Sequence, residues 1–527
     1  MDFLPDHILV SILQLLSPYD QLFHIPLVCH RWHQLNRIAC ERRKHLFLFD
    51  PQTSQLLNWL YYGYGIEFVH HGENSLLLLK RKQKEKNVDY YFKYNKNLKN
   101  SNILILKTFP NICHLSFSGQ PDNDDSVQLL FHLLTGEKRC CNTGDPSCIL
   151  SKQLKSLKIL IYNNCWDRFT YPDEQYRNEE IRYGCWNQVF ACLNSGHFAT
   201  NLHHLTLFDG SRHGSGLYPR ESTFNQLQLD QLASLKELYF GIKCFTLPST
   251  LFGSLNRLKY LKHFGILYTM SMEHFNDHHQ VPLKHFDQTI SDGITHLTLL
   301  YKCDRLSKNQ NYFEARNNSD ISKWFSLISE KFPNLTYLHL NVTNLSFVTT
   351  THRRLLIDCC IAKMTHLQHL RLSSNTLFEQ LFTFDTILDV MFDEIIDQVN
   401  INSSPLQNIT KLTITSTNIL SDYNQDHHHH NPKMIVPPLI DQIFPNLQQF
   451  EIDNLFFVAK HGDIDDVTKN VYSDFNLILK NEKEVVGLEM ENETKEIELL
   501  YKLPKSWKGP FLKRSPLLYY YQKDKER

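Results

Sequence analysis

The sequence predicts an α/β chain in two parts. A small three-helix unit comes first, then an irregular solenoid of about ten strand-containing repeats, a curved parallel sheet with helices on its outer side. Three observations predict it. Residues 4–32, LPDHILVSILQLLSPYDQLFHIPLVCHRW, carry apolar residues at helical spacing between clear helix breaks. A phrase of the form apolar, two residues, apolar, one residue, apolar then recurs ten times. The tripeptide Phe-Pro-Asn, starting at Phe109, Phe332 and Phe444, precedes three copies as a helix end and a proline break. The expected boundaries are 1–45 for the helical unit, 46–105 for a linker and N-terminal cap, 106–460 for the solenoid, and 461–527 for a C-terminal cap or tail.

In the first helix Ile8, Ile12 and Leu15 form one apolar stripe and Leu9, Leu13 and Leu16 a second, where a surface helix ordinarily carries one. Pro5 suits the first helical position, and Asp6 suits the positive end of the helix dipole. Ser17-Pro18-Tyr19-Asp20 reads as the cap and first turn of a second helix. Pro26 opens a third, with Val28, Trp32, Leu35 and Ala39 along one face. Three short helices bury little by themselves. One stripe builds a small core; the other either docks on the rest of the chain or is a face for a partner.

Leu4-Pro5, Ile8-Leu9, Ile12, Leu15-Leu16, Leu22, Val28-Cys29 and Arg31-Trp32 resemble the F-box over about the first 40 residues. His7 departs from the motif, which often has an acid there, and Pro26 is less usual but fits a helix start. F-boxes bind the Skp-type adaptor of cullin-based ubiquitin ligases, while the remainder of such chains recruits the substrate. The resemblance therefore implies adaptor contacts at Leu4, Pro5, Ile8, Leu9, Ile12, Leu15, Leu16, Leu22, Val28, Cys29 and Trp32.

Between the helices and the first repeat, Lys80-Arg81-Lys82-Gln83-Lys84-Glu85-Lys86 reads as a solvated loop, with a nuclear import signal or a phosphate contact as the other reading. Tyr90, Tyr91, Phe92 and Tyr94 read as a cap packed under the first coil.

The ten copies begin at Ile112-Leu115-Phe117, Leu157-Leu160-Tyr162, Leu202-Leu205-Leu207, Leu235-Leu238-Phe240 and Leu261-Phe264-Ile266. They continue at Ile294-Leu297-Leu299, Leu335-Leu338-Leu340, Leu367-Leu370-Leu372, Ile409-Leu412-Ile414 and Leu447-Phe450-Ile452. The last two apolar positions alternate as on a half-buried strand, and the first turns the incoming chain into the core. Asp320 to Phe332 is the clearest intervening helix, with Ile321, Trp324, Phe325 and Ile328 on one face and Pro333 as its stop.

The unit resembles the leucine-rich repeat, most fully at Leu367, Leu370, Leu372, Asn375 and Leu377. In that family Asn at the turn bonds backbone groups between coils. Lys243 and Lys302 occupy the Asn position in copies four and six, so either those turns are bulged or the register shifts by one. Spacing is uneven, and Gln120 to Pro146, Thr170 to Tyr183, Asp209 to Ser222 and Ser421 to Pro438 are expected to hold inserted loops or longer helices. The concave strand face is the expected substrate surface, through Ser116, Ile161, Thr206, Tyr239, Thr298, His339, Arg371, Thr413 and Glu451.

Other signals narrow the function. Net charge is −1, which gives no global electrostatic case for nucleic acid or an acidic membrane. No apolar run reaches the length of a membrane span, and Met1 is followed directly by Asp2 rather than by a signal peptide. The thirteen Cys are scattered, Cys140-Cys141 and Cys359-Cys360 being adjacent pairs rather than zinc hooks. Reduced thiols in cytosol or nucleus are expected. His427 to His430 read as a polar loop rather than a zinc or nickel site, and His70-His71, His203-His204 and His278-His279 as surface. No Gly-x-Ser-x-Gly elbow, phosphate-cradling Gly loop or His-Glu-x-x-His is present, so neither an active site nor a cofactor is expected. Asn481 to Tyr501 is expected to add a strand or two as a cap, and Ser515 to Arg527 is either a docked extension or a free tail.

Together these features point to a substrate-recognition subunit of a Skp–cullin–F-box ubiquitin ligase that binds an unknown protein substrate. The alternatives are a non-degradative scaffold and a nucleic-acid-associated repeat protein using Lys80 to Lys86.

Overall fold

The computed structural model describes residues 4–16, 18–49, 76–78, 105–119, 124–135, 149–161, 184–196, 198–209, 227–243, 254–271, 288–304, 314–341, 350–374, 406–416, 443–452, 455–459 and 507–512. It opens with α1 (Asp6–Gln14), α2 (Pro18–Phe23), a 3-10 turn (Ile25–Leu27) and α3 (His30–Arg42). Pro18 takes the first position of α2, as its sequence signal requires. Pro5 instead precedes α1 in extended backbone (φ −56°, ψ 145°), and Asp6 is the first helical residue. Pro26 belongs to the 3-10 turn, and α3 starts only after an extended Cys29, so Val28 lies off the face of α3.

The strands are β1 (His45–Phe49), β2 (Leu76–Leu78), β3 (His114–Gly119), β4 (Ser156–Ile161), β5 (His204–Asp209), β6 (Glu237–Lys243) and β7 (His263–Ser271). They continue as β8 (His296–Asp304), β9 (Tyr337–Asn341), β10 (His369–Ser374), β11 (Lys411–Ser416), β12 (Gln449–Ile452), β13 (Leu455–Ala459) and β14 (Trp507–Leu512). Among the described residues they make one fourteen-stranded sheet, with β2 at one edge beside β1 and β3 to β14 following in chain order. Strands β1 to β12 pair in parallel. The last two pair antiparallel, and Pro510, which has no N–H to give a ladder, sits in the edge strand β14. Between strands lie α4 (Asp124–Thr135), α5 (Ile149–Gln153), α6 (Gly184–Leu193), α7 (Gln288–Ser291), α8 (Glu314–Lys331) and α9 (Thr350–Cys359).

Each of the ten phrases falls on one of the strands β3 to β12. Leu115, Leu157, Leu205, Leu238, Phe264, Leu297, Leu338, Leu370, Leu412 and Phe450 share one row of the ladder. All are buried in a single core with Val127 and Leu130 of α4, Phe190 of α6, and Phe325 and Ile328 of α8. No coil can bury this face alone, so burial of about 1.5–3 kcal/mol per large side chain depends on stacking the next coil. α8 begins at Glu314, six residues before the expected start at Asp320, and ends against buried Phe332 and the stop at Pro333.

Copy two sits three residues earlier than expected. Ser156 pairs with His114 and Leu157 with Leu115, so its phrase is Leu154-Leu157-Ile159. The run Leu157 to Tyr162 is apolar enough to fit either register, and the ladder decides. At Lys243 and Lys302 there is neither a bulge nor a slip, because β6, β7 and β8 run on past the phrase with Thr269 paired to both lysines. The expected insertion at Gln120 to Pro146 contains α4.

The expected linker begins with a strand. β1 follows α3 directly and pairs with both β2 and β3, so the sheet starts inside residues 46–105. Cys40 of α3 lies in the sheet core, Leu22 of α2 packs against it, and Asn111 donates from Nδ2 to the Glu41 carbonyl (2.6 Å). The helical unit is therefore continuous with the solenoid. Lys80 to Lys86, Tyr90 to Tyr94, Asn375, His427 to His430, Asn481 to Tyr501 and Ser515 to Arg527 lie outside the described residues.

The Phe-Pro-Asn motif has a structural function. Asn111, Asn334 and Asn446 each donate to a carbonyl of the preceding coil, those of Glu41, Asp292 and Gln407, at 2.6, 2.9 and 2.8 Å. Gln153 does the same to Pro110 (2.8 Å). This amide row stitches coil to coil on the strand's entry side. In equilibrium unfolding by urea, Leu338→Ala is expected to cost about 2–5 kcal/mol as a core cavity. Asn334→Ala, which removes one exposed bond, is expected to cost about 1 kcal/mol; equal losses at the two positions would contradict the packing described.

Candidate functional site

The helical unit hides one apolar stripe and shows the other. Leu9, Val10 and Leu13 of α1 pack with Ile25, Leu35 and Ala39, with Leu16 and Trp32 partly buried beside them. A turn of about 100° per residue then points Ile8, Ile12 and Leu15 outward. They are 40%, 40% and 62% exposed, with Leu27 at 82% and Val28 at 56%. These are five of the seven large apolar side chains found exposed among the described residues, so apolar exposure is concentrated at this end.

Buried polar bonds hold the patch in shape. Arg43 donates to the Gln14 and Leu16 carbonyls (3.1 and 2.7 Å) and to Gln21 Oε1 (3.1 Å), satisfying groups left open at the end of α1. Gln21 donates to the Leu13 carbonyl (2.6 Å) and Asn36 to the Gln21 carbonyl (2.7 Å). At the surface, Arg31 pairs with exposed Asp6 (2.7 Å) and donates to the Leu4 carbonyl, linking the start of α3 to the start of α1.

The residues expected to meet an adaptor separate by depth. Pro5, Ile8, Ile12, Leu15, Val28 and Cys29 are exposed, Leu4, Leu16, Leu22 and Trp32 are half-buried, and Leu9 is fully buried in the unit's own core. Leu9 belongs to the structural stripe because adjacent helix positions cannot face the same way. Leu27, the most exposed of these side chains, lies outside the expected set, although its place between Pro26 and Val28 in an apolar run signals it.

On the sheet, Ser116, Thr206, Tyr239, Thr298, His339, Arg371, Thr413 and Glu451 do share one row on the face opposite the core. Ile161 does not. It is fully buried, and Lys158 takes its place in the row. Thr298, His339, Thr413 and Glu451 are buried as well, so this face is not the open polar surface expected of it. Leu160, Phe208 and Leu300 on the same face are also buried. The Tyr239 ring lies across Gly265 and the Phe208 ring across Gly241, where a Cβ would collide with each ring. Farther along, His339 Nε2 meets Ser373 Oγ at 2.9 Å, and His369 Nε2 meets Thr413 Oγ1 at 3.1 Å.

The row at the start of the strands carries a second pattern. His45, His114, His204, His263, His296 and His369 occupy one register position, shared with Ser156, Glu237, Tyr337, Lys411 and Gln449. With 28 His in 527 residues, chance places fewer than one His in a row of this length. His45 stacks on His114 with ring centres 4.2 Å apart, and His263 lies 3.9 Å from His296. Glu237 bridges two of them, its Oε2 being 2.8 Å from His204 Nδ1 and its Oε1 2.8 Å from His263 Nδ1. Burial pushes the Glu237 carboxyl up, but the two imidazole bonds outweigh it and hold the group well below the usual carboxylate range. Burial, reinforced by His263 against the pull of Glu237, lowers His296 from 6.5 to about 4. Burial, then Arg371 and His369, hold His339 well below its ordinary value. The sequence signal was a His directly before the strand's first core residue.

Among the described residues no group of three or more His, Cys, Asp or Glu is placed to hold a metal ion, and no helix is long and apolar enough to cross a membrane. The described cysteines are free; Cys29 is exposed, and burial raises the Cys40 thiol to about 12.

An F-box-like family model matches residues 1–38, the same helices that carry the exposed stripe. No curated protein matches the chain. Among solved structures, a Bacteroides fragilis protein from a structural genomics programme is 14% identical, with 60% of this chain and 67% of that one covered at a TM-score of 0.27.

His296, His339 and Glu237 all have lowered values in the fold, so each stabilises it when deprotonated and loses that contribution as pH falls. For His296 the loss spans the window from 6.5 down through about 4. The urea midpoint is expected to decline across this window, and His296→Gln is expected to make the decline shallower. An unchanged slope in the variant would show that His296 is not held neutral by the fold.

Proposed function

We propose that this chain is the substrate-recognition subunit of a Skp–cullin–F-box ubiquitin ligase, acting in cytosol or nucleus. The observation that carries the reading is the exposed Ile8, Ile12 and Leu15 stripe within the span matched by the F-box-like model. The chain does not need these side chains for its own core, since Leu9, Leu13 and Leu35 already close the helical unit and Cys40 and Leu22 already join it to the sheet. A rigid apolar helix face of this kind docks into a partner groove, in this reading that of a Skp-type adaptor joined to a cullin. The solenoid then holds a protein substrate. Ubiquitin transfer takes place on other subunits, and this chain acts by raising the effective concentration of substrate near the charged conjugating enzyme.

The test is affinity purification of wild type beside Ile12→Asp, Leu15→Asp. Both positions are exposed, so the variant is expected to keep its unfolding midpoint. A carboxylate placed in an apolar groove is expected to weaken adaptor binding on the order of hundredfold, removing adaptor and cullin together. Proteins retained by both forms are substrate candidates. Absence of adaptor and cullin from the wild-type eluate, or their equal recovery with the variant, would sink the reading.

A further inference from the structure

One row of the sheet carries side chains that the fold does not require. At the position just before each strand the backbone carbonyl accepts N–H groups from the next coil. His203 donates to Lys155, Lys236 to His203 and Lys262 to Lys236, each at 2.8 Å, and the row runs from Lys44 to Gln448. This task needs no side chain. In the second half of the row the position is Thr295, Thr336, Gln368, Thr410 and Gln448, and the threonine hydroxyls bond back to the preceding coil. In the first half it is Lys44, Cys113, Lys155, His203, Lys236 and Lys262. The four lysines are exposed, and Lys152 and Lys259 are exposed three residues ahead of Lys155 and Lys262. Burial lowers His203 below its ordinary value, and Lys236, then His204 and Lys155, lower it further.

Carboxylates nearby among the described residues are engaged, Asp292 of the next coil accepting from Gln288 Nε2 at 2.8 Å. Glu237 is held by His204 and His263, and Asp230 by Arg257 at 2.6 Å. Tyr260, 64% exposed, stands beside Lys259 in the same turn, an aromatic side chain in a basic setting. Exposed aromatics beside cationic groups are the usual anchors of protein interfaces.

We propose that this rim, from Lys155 through Lys236 to Lys262 with Tyr260 as its apolar anchor, is a docking surface for an acidic segment of a partner protein. Strands about 4.8 Å apart spread these three lysines over roughly 15 Å, the reach of four or five residues of extended peptide. Lysines held this way match carboxylates as point charges, and Tyr260 supplies apolar area for a side chain beside them. A nucleic acid fits less well, because past Lys262 the row turns to Thr295, Thr336 and Gln368 and offers a continuous phosphate backbone no further charge. Under the ligase reading the acidic partner is a substrate, but the rim is defined without the adaptor and is tested without it.

The test uses the full chain alone and a fluorescein-labelled twelve-residue peptide of alternating Glu and Leu, with binding read by anisotropy. Lys155→Glu, Lys236→Glu, Lys262→Glu together are expected to weaken binding at least about tenfold, given a few tenths of a kcal/mol per surface pair plus repulsion. Tyr260→Ala is expected to weaken it several-fold with the salt dependence unchanged. Lys323→Glu, Lys363→Glu, exposed lysines of the helical layer, are expected to leave it intact. Thermal unfolding checks that each variant is folded, and Lys262→Glu alone replaces the triple variant if that does not fold. The proposal is overturned if wild type does not bind the peptide or if the rim variants bind as wild type does. It is equally overturned by a matching loss with Lys323→Glu, Lys363→Glu, or by equally tight binding of a single-stranded oligonucleotide of the same charge.

Discussion

Just before β1, and before each strand from β3 to β11, a single carbonyl accepts two N–H groups from the next coil. Lys44 accepts from Cys113 and His114, Lys155 from His203 and His204, Lys262 from Thr295 and His296, and the pattern runs on to Thr410 with Gln448 and Gln449. This two-pronged bond fixes where each strand from β3 to β12 begins. Once it is set, the residue after the histidine row must face the helices, and the side-chain period of two places the others. A slip of one residue would turn Leu338 and Leu340 away from the core and bring Tyr337 and His339 into it. The amide bonds of Asn111, Asn334 and Asn446 reinforce the same junction from the preceding turn.

The same constraint explains which parts of the fold were legible in the sequence. Where the phrase stands clear, as at Leu367-Leu370-Leu372, the apolar pattern alone specifies the strand. Where apolar residues crowd, as from Leu157 to Tyr162, two registers fit and only pairing with β3 separates them. β1 escaped notice because the position that should hold its first apolar residue is Arg43. That side chain is committed to the helical unit through Gln14, Leu16 and Gln21. The row at Ser116 to Glu451 followed from alternation, but its burial did not. Alternation reports which face a residue is on and says nothing of what covers that face. The histidine row was hidden by the substitution of Ser156, Glu237 and Tyr337 at intermediate coils.

In the helical unit the sequence offered two apolar stripes and no means of ranking them. Packing ranks them: Leu9 and Leu13 close the core, while Ile8, Ile12 and Leu15 remain outside it. Arg43 links this division to the sheet, because the residue that satisfies the end of α1 also stands two positions before β1. A rigid connection of this kind suits a subunit that must present a bound protein at a fixed place relative to its own point of attachment.

Under the proposed function, the exposed stripe of α1, with Leu27 and Val28, is the face by which a partner holds the chain. Hydrogen–deuterium exchange of the full chain, alone and with a purified Skp-type adaptor, tests it most directly. The account predicts slowed exchange over residues 5–16 and 25–29, with the strands from β5 to β12 unchanged. Protection confined to the sheet, or none at either place, would contradict it.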